Sequence, residues 1–313
     1  MTPTPHDALF RSTFSHPGRA AELLRSFLDP DLCSRIDWPD LTLQSGSFVD
    51  EQLRAQHTDL LFTARLDDRE LRIYLLLEHQ SSPDRWIALW LLRYMVRIWV
   101  AHVDAHPRTP RLPLILPAVI HHGEKAWTID PTFSALFDIP DGFTQFIPHF
   151  QFAFADLATL DADTLRTRAG SAAVRMALLA LKETREAEDL RRLLLGWAAV
   201  LNELERHPEG PHVIDLVFRY LYAVRDNEEF ARIDVSSLGL GKSSEAIMTR
   251  ETYLINKGIE QGEQRFLLNQ LRGKFELLPT TVVHRVEAAD SDTLQRWGLR
   301  LLTADTLDEV FAA

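Results

Sequence analysis

Residues 58–83 read TDLLFTARL (58–66), DDRE (67–70) and LRIYLLLEHQSSP (71–83), and the parsing of this stretch decides the fold. Two apolar runs, Thr58–Leu66 and Leu71–Glu78, flank a short charged tip, which is the pattern of an antiparallel hairpin. With the tip centred between Asp68 and Arg69, Leu66 faces Leu71, Phe62 faces Leu75 and Asp59 faces Glu78. Directly opposed residues share a face with β-carbons roughly 4.5–5.5 Å apart, and Gln80 follows Glu78 on that face by the period of two. The hairpin is thus expected to end in two carboxylates and a carboxamide at its open end. Like charges so placed destabilise a sheet, and carboxylates among apolar strands are costly unless paired. A divalent cation offsets both costs, and two carboxylates with a carbonyl suit Mg²⁺ or Mn²⁺. The bland alternative is that Asp59 merely ends its strand while Glu78 pairs with Arg85 or Arg97 on the next helix.

Outward from the hairpin, the first half reads as helix, three strands, helix, strand. Asp7 is placed to cap a helix through Leu28, with Pro17–Gly18 a break point, and a weak strand signal lies at Leu41–Val49. Asp84 to about His106 is an apolar helix covered on most of its circumference, expected to be heavily buried. Leu112–Ile120 reads as a strand, with Pro113 and Pro117 pointing to an edge or a bulge, and alternating Phe150, Phe152 and Phe154 suggest another. From Asp161 the pattern is helical: Asp161–Arg168, Gly170–His207 broken once, and His212–Asn227. Ile233–Lys242 is a loop, and a helical block, Ser243–Ala313, follows with a break at Pro279 and N-caps at Ser291 and Thr306.

The 313 residues are 46% hydrophobic and 25% charged, an ordinary globular composition that excludes collagenous or largely disordered chains. Lys and Arg number 34 against 45 Asp and Glu, a net charge of −11, which argues against a polyanion binder working by overall charge. The lone Cys33 forbids an internal disulfide and fits a reducing compartment. Neither a signal pattern nor an apolar run of membrane-spanning length is visible, so a cytoplasmic location without membrane contact is expected.

An acid opening one strand and Glu-x-Gln closing the next, within an α-β-β-β-α-β order, resembles the PD-(D/E)XK nuclease superfamily. More closely, His6-Asp7-x-x-Phe10, Thr58–Phe62 and Leu76–Pro83 resemble the recombination-promoting nucleases, also called the YhgA-like transposase family. Arg93-Tyr94-Met95, Ile98-Trp99, Leu112–Gly123 and Trp127 continue the likeness, and Lys257–Gly262 resembles the junction before a small helical C-terminal domain in such proteins. The resemblance implies an α/β restriction-endonuclease-like core followed by a helical region. The nuclease-like domain would span 1–232, with a helical extension from about 156, and a C-terminal domain 243–313. It also implies Mg²⁺-dependent hydrolysis of DNA phosphodiesters, with Asp59, Glu78 and the backbone carbonyl of His79 holding the metal and Gln80 completing the catalytic set. Gln80 departs from the superfamily lysine: an amide orients a water but is no base. Asp7 is an accessory acid in this view and a helix cap in the plainer one, and Arg85 is placed to contact a DNA phosphate. A nuclease-derived protein that no longer cleaves is the rival, and self-association through the helical tail is a third possibility.

Other signals carry less. Ser236–Ser243 ends like a phosphate loop but has Ser236 where glycine is required, so no nucleotide cofactor is expected. His121-His122-Gly123, just after a strand, is placed to reach a site or a phosphate in the functional view and reads as a turn in the plainer one. Arg93 and Arg97 read as internal partners for acids, and Cys33 as a small core or surface residue.

Overall fold

The hairpin closes on a tighter turn than its charged tip suggests. In the computed structural model Leu66 pairs with Arg69, and Asp67 adopts a left-handed backbone, φ 53°. Two-residue hairpin loops favour positive φ, which Asp tolerates better than most residues. The strands β2 (Thr58–Leu66) and β3 (Arg69–Glu78) therefore pair two positions away from the expected register: Phe62 faces Ile73 and Asp59 faces Leu76, not Glu78. The structure describes residues 4–44, 58–67, 69–78, 84–123, 126–168, 170–225 and 229, and in the C-terminal segment 262, 264–275, 278–287, 289, 291–302, 304 and 306–311.

The sheet order is β1-β2-β3-β4-β5, antiparallel through β1 (Ile36–Leu43), β2 and β3, then parallel through β4 (Leu114–His121) and β5 (Ala153–Asp156). It is a mixed α/β fold. β1 begins earlier than its hydrophobic pattern indicates because Asp29 caps a short helix, α3 (Pro30–Arg35), that delivers Ile36 directly into the strand. An irregularity between Asp37 and Thr42 then breaks the period of two, and Pro39 sits in this outer strand. β4 is not an edge: β3 flanks it throughout, and β5 pairs with Ala118–His121. Pro117 lies just before that stretch, where β3 alone pairs with β4, so the sheet tolerates its missing N–H.

The expected first helix is two, α1 (Pro5–Phe14) and α2 (Pro17–Arg25), split where Pro17 removes a donor. The long helix α4 (Ile87–Ala105) starts after a turn in which the Asp84 carboxylate accepts bonds from Trp86 N, at 2.8 Å, and Trp90 Nε1, at 2.8 Å. It buries one face, Ile87, Leu91, Tyr94 and Ile98, against Leu61, Tyr74 and Val119 of the sheet. Trp86, Leu89, Val96, Val100 and Val103 remain exposed, so its circumference is less covered than composition implied.

The opposite sheet face presents Leu60, Phe62, Ile73, Leu75, Ala118 and Ile120, all buried. Helices α1 and α2 lie against β2 and β1. Behind them come α5 (Ala162–Thr167), α6 (Ala172–Glu183), α7 (Leu190–Glu205) and α8 (Gly210–Val224). α6 is buried over nearly its whole surface, as a helix with apolar residues all round must be. At its end Glu183 accepts from Arg166, at 2.7 and 3.0 Å, and from Trp197 Nε1, at 2.7 Å, which ties α5, α6 and α7 together.

The chain divides into compact units at Ser243/Ser244. In the second, helices α9 (264–275), α10 (Thr280–Glu287), α11 (Ser291–Leu301) and α12 (Leu307–Val310) surround Leu271, Val286, Leu294, Trp297 and Phe311. Thr306 caps α12 in a reciprocal box with Glu309.

Gly210 is required where α8 begins, because a Cβ there would stand 1.6 Å from the carbonyl oxygen of Leu204. Gly210→Ala is expected to cost about 3 kcal/mol by overpacking, measured as a lowered urea midpoint at unchanged slope.

Candidate functional site

The parallel half of the sheet ends in one row. Glu78 closes β3 opposite His121, the last residue of β4, and His121 stands opposite Asp156, the last residue of β5. On the other side of β3, Asp59 is in register with Leu76, two positions before Glu78. Positions of equal parity share a face, so the backbone assigns Asp59, Glu78, His121 and Asp156 to the face that α4 covers. The expected head-on opposition of the two acids is corrected. They are diagonal neighbours, for which backbone positions lie about 7–8 Å apart. A separation of that size removes the direct opposition inferred from the sequence. His79, Gln80 and the Ser82–Pro83 step lie outside the described residues.

His121 is fully buried, with its ring edge-on to Trp127 at 5.1 Å between centroids. Trp127 is fixed by the Asp156 carboxylate, which accepts from Trp127 N at 2.9 Å, while its second oxygen accepts from Ala158 N at 3.0 Å. Asp156 thus spends its lone pairs on shaping the loop beside the row. His121, read as part of a turn in the sequence, is therefore the last residue of a central strand, and His122 follows directly after it. Its signal lay in Leu112–Ile120 running without interruption into His121. Arg85 is exposed, and its guanidinium stacks over the Trp86 ring at 4.6 Å, just ahead of α4.

His122 has the opposite parity and belongs to the other side of the sheet. Its ring packs 4.9 Å from that of His6 in the first turn of α1. The Arg185 guanidinium donates to His6 Nε2. Since a guanidinium only donates, Nε2 is the acceptor and the His6 proton sits on Nδ1, which donates to Tyr220 Oη at 2.8 Å. Burial pushes the Tyr220 phenol well above the ordinary phenol range, partly opposed by Arg185. This knot fastens α1, the end of β4, the end of α6 and α8 to one another. Asp7, next in sequence, is neither the helix cap nor visibly directed at the row. It is the third helical residue of a capping box, accepting from Thr4 N at 3.0 Å and Thr4 Oγ1 at 2.7 Å.

Cys33 is half-buried in α3, and desolvation raises its thiol pKa, the reverse of what a nucleophile needs. Among the described residues no group of three or more His, Cys, Asp or Glu is arranged to hold a metal ion. No described helix is long and apolar enough to cross a membrane.

The family model described as "Putative transposase, YhgA-like" matches residues 4–211, a span that holds the whole sheet, α1 and most of the helical layer. The chain belongs to this family. It is 37% identical over 155 residues to the recombination-promoting nuclease RpnD of Escherichia coli O157:H7, covering 45% of this chain and 59% of that protein. It is 35% identical over 120 residues to RpnA of Escherichia coli K12, 38% of this chain and 40% of that protein. The inactive recombination-promoting nuclease-like protein RpnE of the same strain is 33% identical over 123 residues, 39% of this chain and 40% of its own length. The chain thus spans about half the length of these curated relatives. No solved structure matches.

In this YhgA-like chain the knot behind the row has a measurable stability. Tyr220→Phe removes the hydroxyl that His6 meets and is expected to cost about 1 kcal/mol at neutral pH. A phenol raised in the fold contributes stability that is complete below its unfolded value of about 10 and is lost as pH rises beyond it. Chemical denaturation from pH 8 to 11 should therefore show a steeper alkaline decline in the parent than in Tyr220→Phe. Parallel curves would exclude Tyr220 as the group responsible.

Proposed function

We propose that this chain is a metal-dependent DNA endonuclease of the recombination-promoting type, with a PD-(D/E)XK-like core. The observation that carries the proposal is the backbone register. Asp59 and Glu78 occupy equal-parity positions on adjacent strands, at the end where β3, β4 and β5 all terminate. Strand ends of parallel sheets are where α/β proteins gather ligands, because the backbone there turns away and leaves side chains to converge. Relatives named as recombination-promoting nucleases support the reaction class.

The donor set suits a hard cation: two carboxylates, with the His79 carbonyl as a third oxygen, are the chemistry Mg²⁺ or Mn²⁺ favours. Such an ion, when bound, supplies Lewis-acid polarisation of a phosphate oxygen and a more acidic water. Asp59 and Glu78 are its ligands in this proposal. Gln80 orients the attacking water through its amide oxygen without accepting the proton, so that proton must pass to solvent or to a substrate oxygen. Arg85, exposed ahead of α4, is available to a DNA phosphate.

A second reading, a nuclease-derived protein that binds DNA or a partner without cleaving, is favoured by Gln80 in the lysine slot and by relatives named inactive. Nicking of supercoiled plasmid separates the two. The nuclease reading expects nicking with Mg²⁺, none with EDTA, and a loss on the order of 100-fold or more in Asp59→Ala and in Glu78→Ala. Activity surviving both substitutions would remove the assigned residues from the reaction. Metal binding is read separately: at 100 times its Kd, Mg²⁺ should stabilise the parent by about 2.7 kcal/mol and leave Glu78→Ala unshifted.

A further inference from the structure

The sheet end opposite Glu78 carries a concentration of positive charge that the proposed chemistry does not use. β3 begins at Arg69 and β4 at Leu114, and α4 finishes beside them at Ala105. Between these ends lies an open cavity of about 950 Å³. Arg69, Arg108 and Arg111 line it together with His102 and His106, whose rings lie 4.7 Å apart between centroids and are tilted by 31°. Its acid, Glu70, is engaged by Arg72, and Arg69 lies close enough to Asp67 to help lower that carboxyl's pKa; among the described residues Arg108 and Arg111 form no ion pair. In a chain of net charge −11, Arg108 and Arg111 therefore bring two guanidinium groups without an ion pair to the same hollow as Arg69.

The walls are held in place. Trp99 Nε1 donates to the Pro113 carbonyl at 2.9 Å, and Thr109 N donates to the His106 carbonyl at 2.9 Å. Thr109 Oγ1 donates to the Arg111 carbonyl at 2.8 Å, which shapes the turn between the two arginines. His106 Nδ1 donates to the His102 carbonyl at 3.1 Å, a contact that orients the ring and leaves Nε2 as an acceptor, suited to a sugar hydroxyl rather than a phosphate oxygen. Leu112 and Leu114, half exposed at 51% and 43%, add apolar surface to the same hollow.

We infer that this cavity is an anion site for the phosphate oxygens of a nucleoside phosphate. Guanidinium forks match phosphate geometry, while the neighbouring imidazoles and leucines offer ring and apolar surface for a sugar or base. The phosphate is carried either by a nucleic-acid backbone or by a free nucleotide, and both present the same groups. The site is separate from the Asp59–Glu78 positions. Arg69 and Glu78 stand at opposite ends of one ten-residue strand, about 30 Å apart at 3.3 Å per residue.

Binding is measured on the full chain in EDTA, so that the result does not depend on cleavage or on a metal. Fluorescence anisotropy follows a labelled 20-base single strand and the matching duplex, and calorimetry follows AMP. The variant Arg108→Glu/Arg111→Glu alters side chains that bond to nothing in the described fold, and Arg108→Gln/Arg111→Gln serves as a milder pair. An unchanged melting temperature certifies each. A backbone ligand predicts at least a tenfold weaker oligonucleotide affinity in the Glu pair and a smaller loss in the Gln pair. The salt slope should fall by about 2 as two phosphate contacts disappear. A free-nucleotide ligand predicts loss of AMP binding with oligonucleotide affinity unaltered. Parent protein that binds neither probe, or folded variants that bind both as the parent does, would overturn the site. Because no metal is present, these outcomes leave the nicking result to stand or fall separately.

Discussion

A left-handed residue in a two-residue turn sets the geometry on which the rest depends. Asp67, at φ 53°, lets Leu66 pair directly with Arg69, and every later pair in the β2–β3 ribbon inherits that start. Register in a hairpin is fixed by its turn, and one residue's shift in the turn centre moves each partner by two. Such a shift changes which residues oppose one another while preserving the face each occupies. That is why Asp59 and Glu78 keep a common face although they do not stand head to head.

From β3 the same register passes across the parallel strands. Glu78, His121 and Asp156 form a row because the β3–β4 and β4–β5 pairings are continuous to their last residues. Parity then sorts the His121–His122 doublet, one ring to the Trp127 side and the other to His6. The two faces have different tasks. The α4 face holds the candidate carboxylate positions, while the α1 face carries a buried polar knot of His6, Tyr220 and Arg185 that joins the sheet to the helical layer. Family membership fits this division, since the matched span, 4–211, takes in both faces.

The element order of the first half was legible in the sequence, as were α4, the break between α6 and α7, and the Thr306 cap, because each rests on local periodicity or a local punctuation residue. β1 was less so, since the irregularity at Asp37–Thr42 destroys the alternation by which a strand is recognised. The central place of β4 was hidden by its prolines, which mark an edge unless a neighbour pairs beyond them, as β5 does from Ala118. Asp7 was recognisable as a capping residue, but Thr4 took the cap and left Asp7 the third position of the box.

The sequence by itself determined the family likeness, the two strands with their acids and the net negative charge, for these are properties of residue type and spacing along the chain. Tertiary structure decided the diagonal relation of Asp59 to Glu78, the alignment of His121 with Glu78, and the meeting of Arg69 with Arg108 and Arg111 at the far sheet end. Each joins segments whose separation is set by backbone hydrogen bonding between strands or by the length of an intervening helix. Hydrogen-bond register is a property of pairs of segments, and no single segment encodes it.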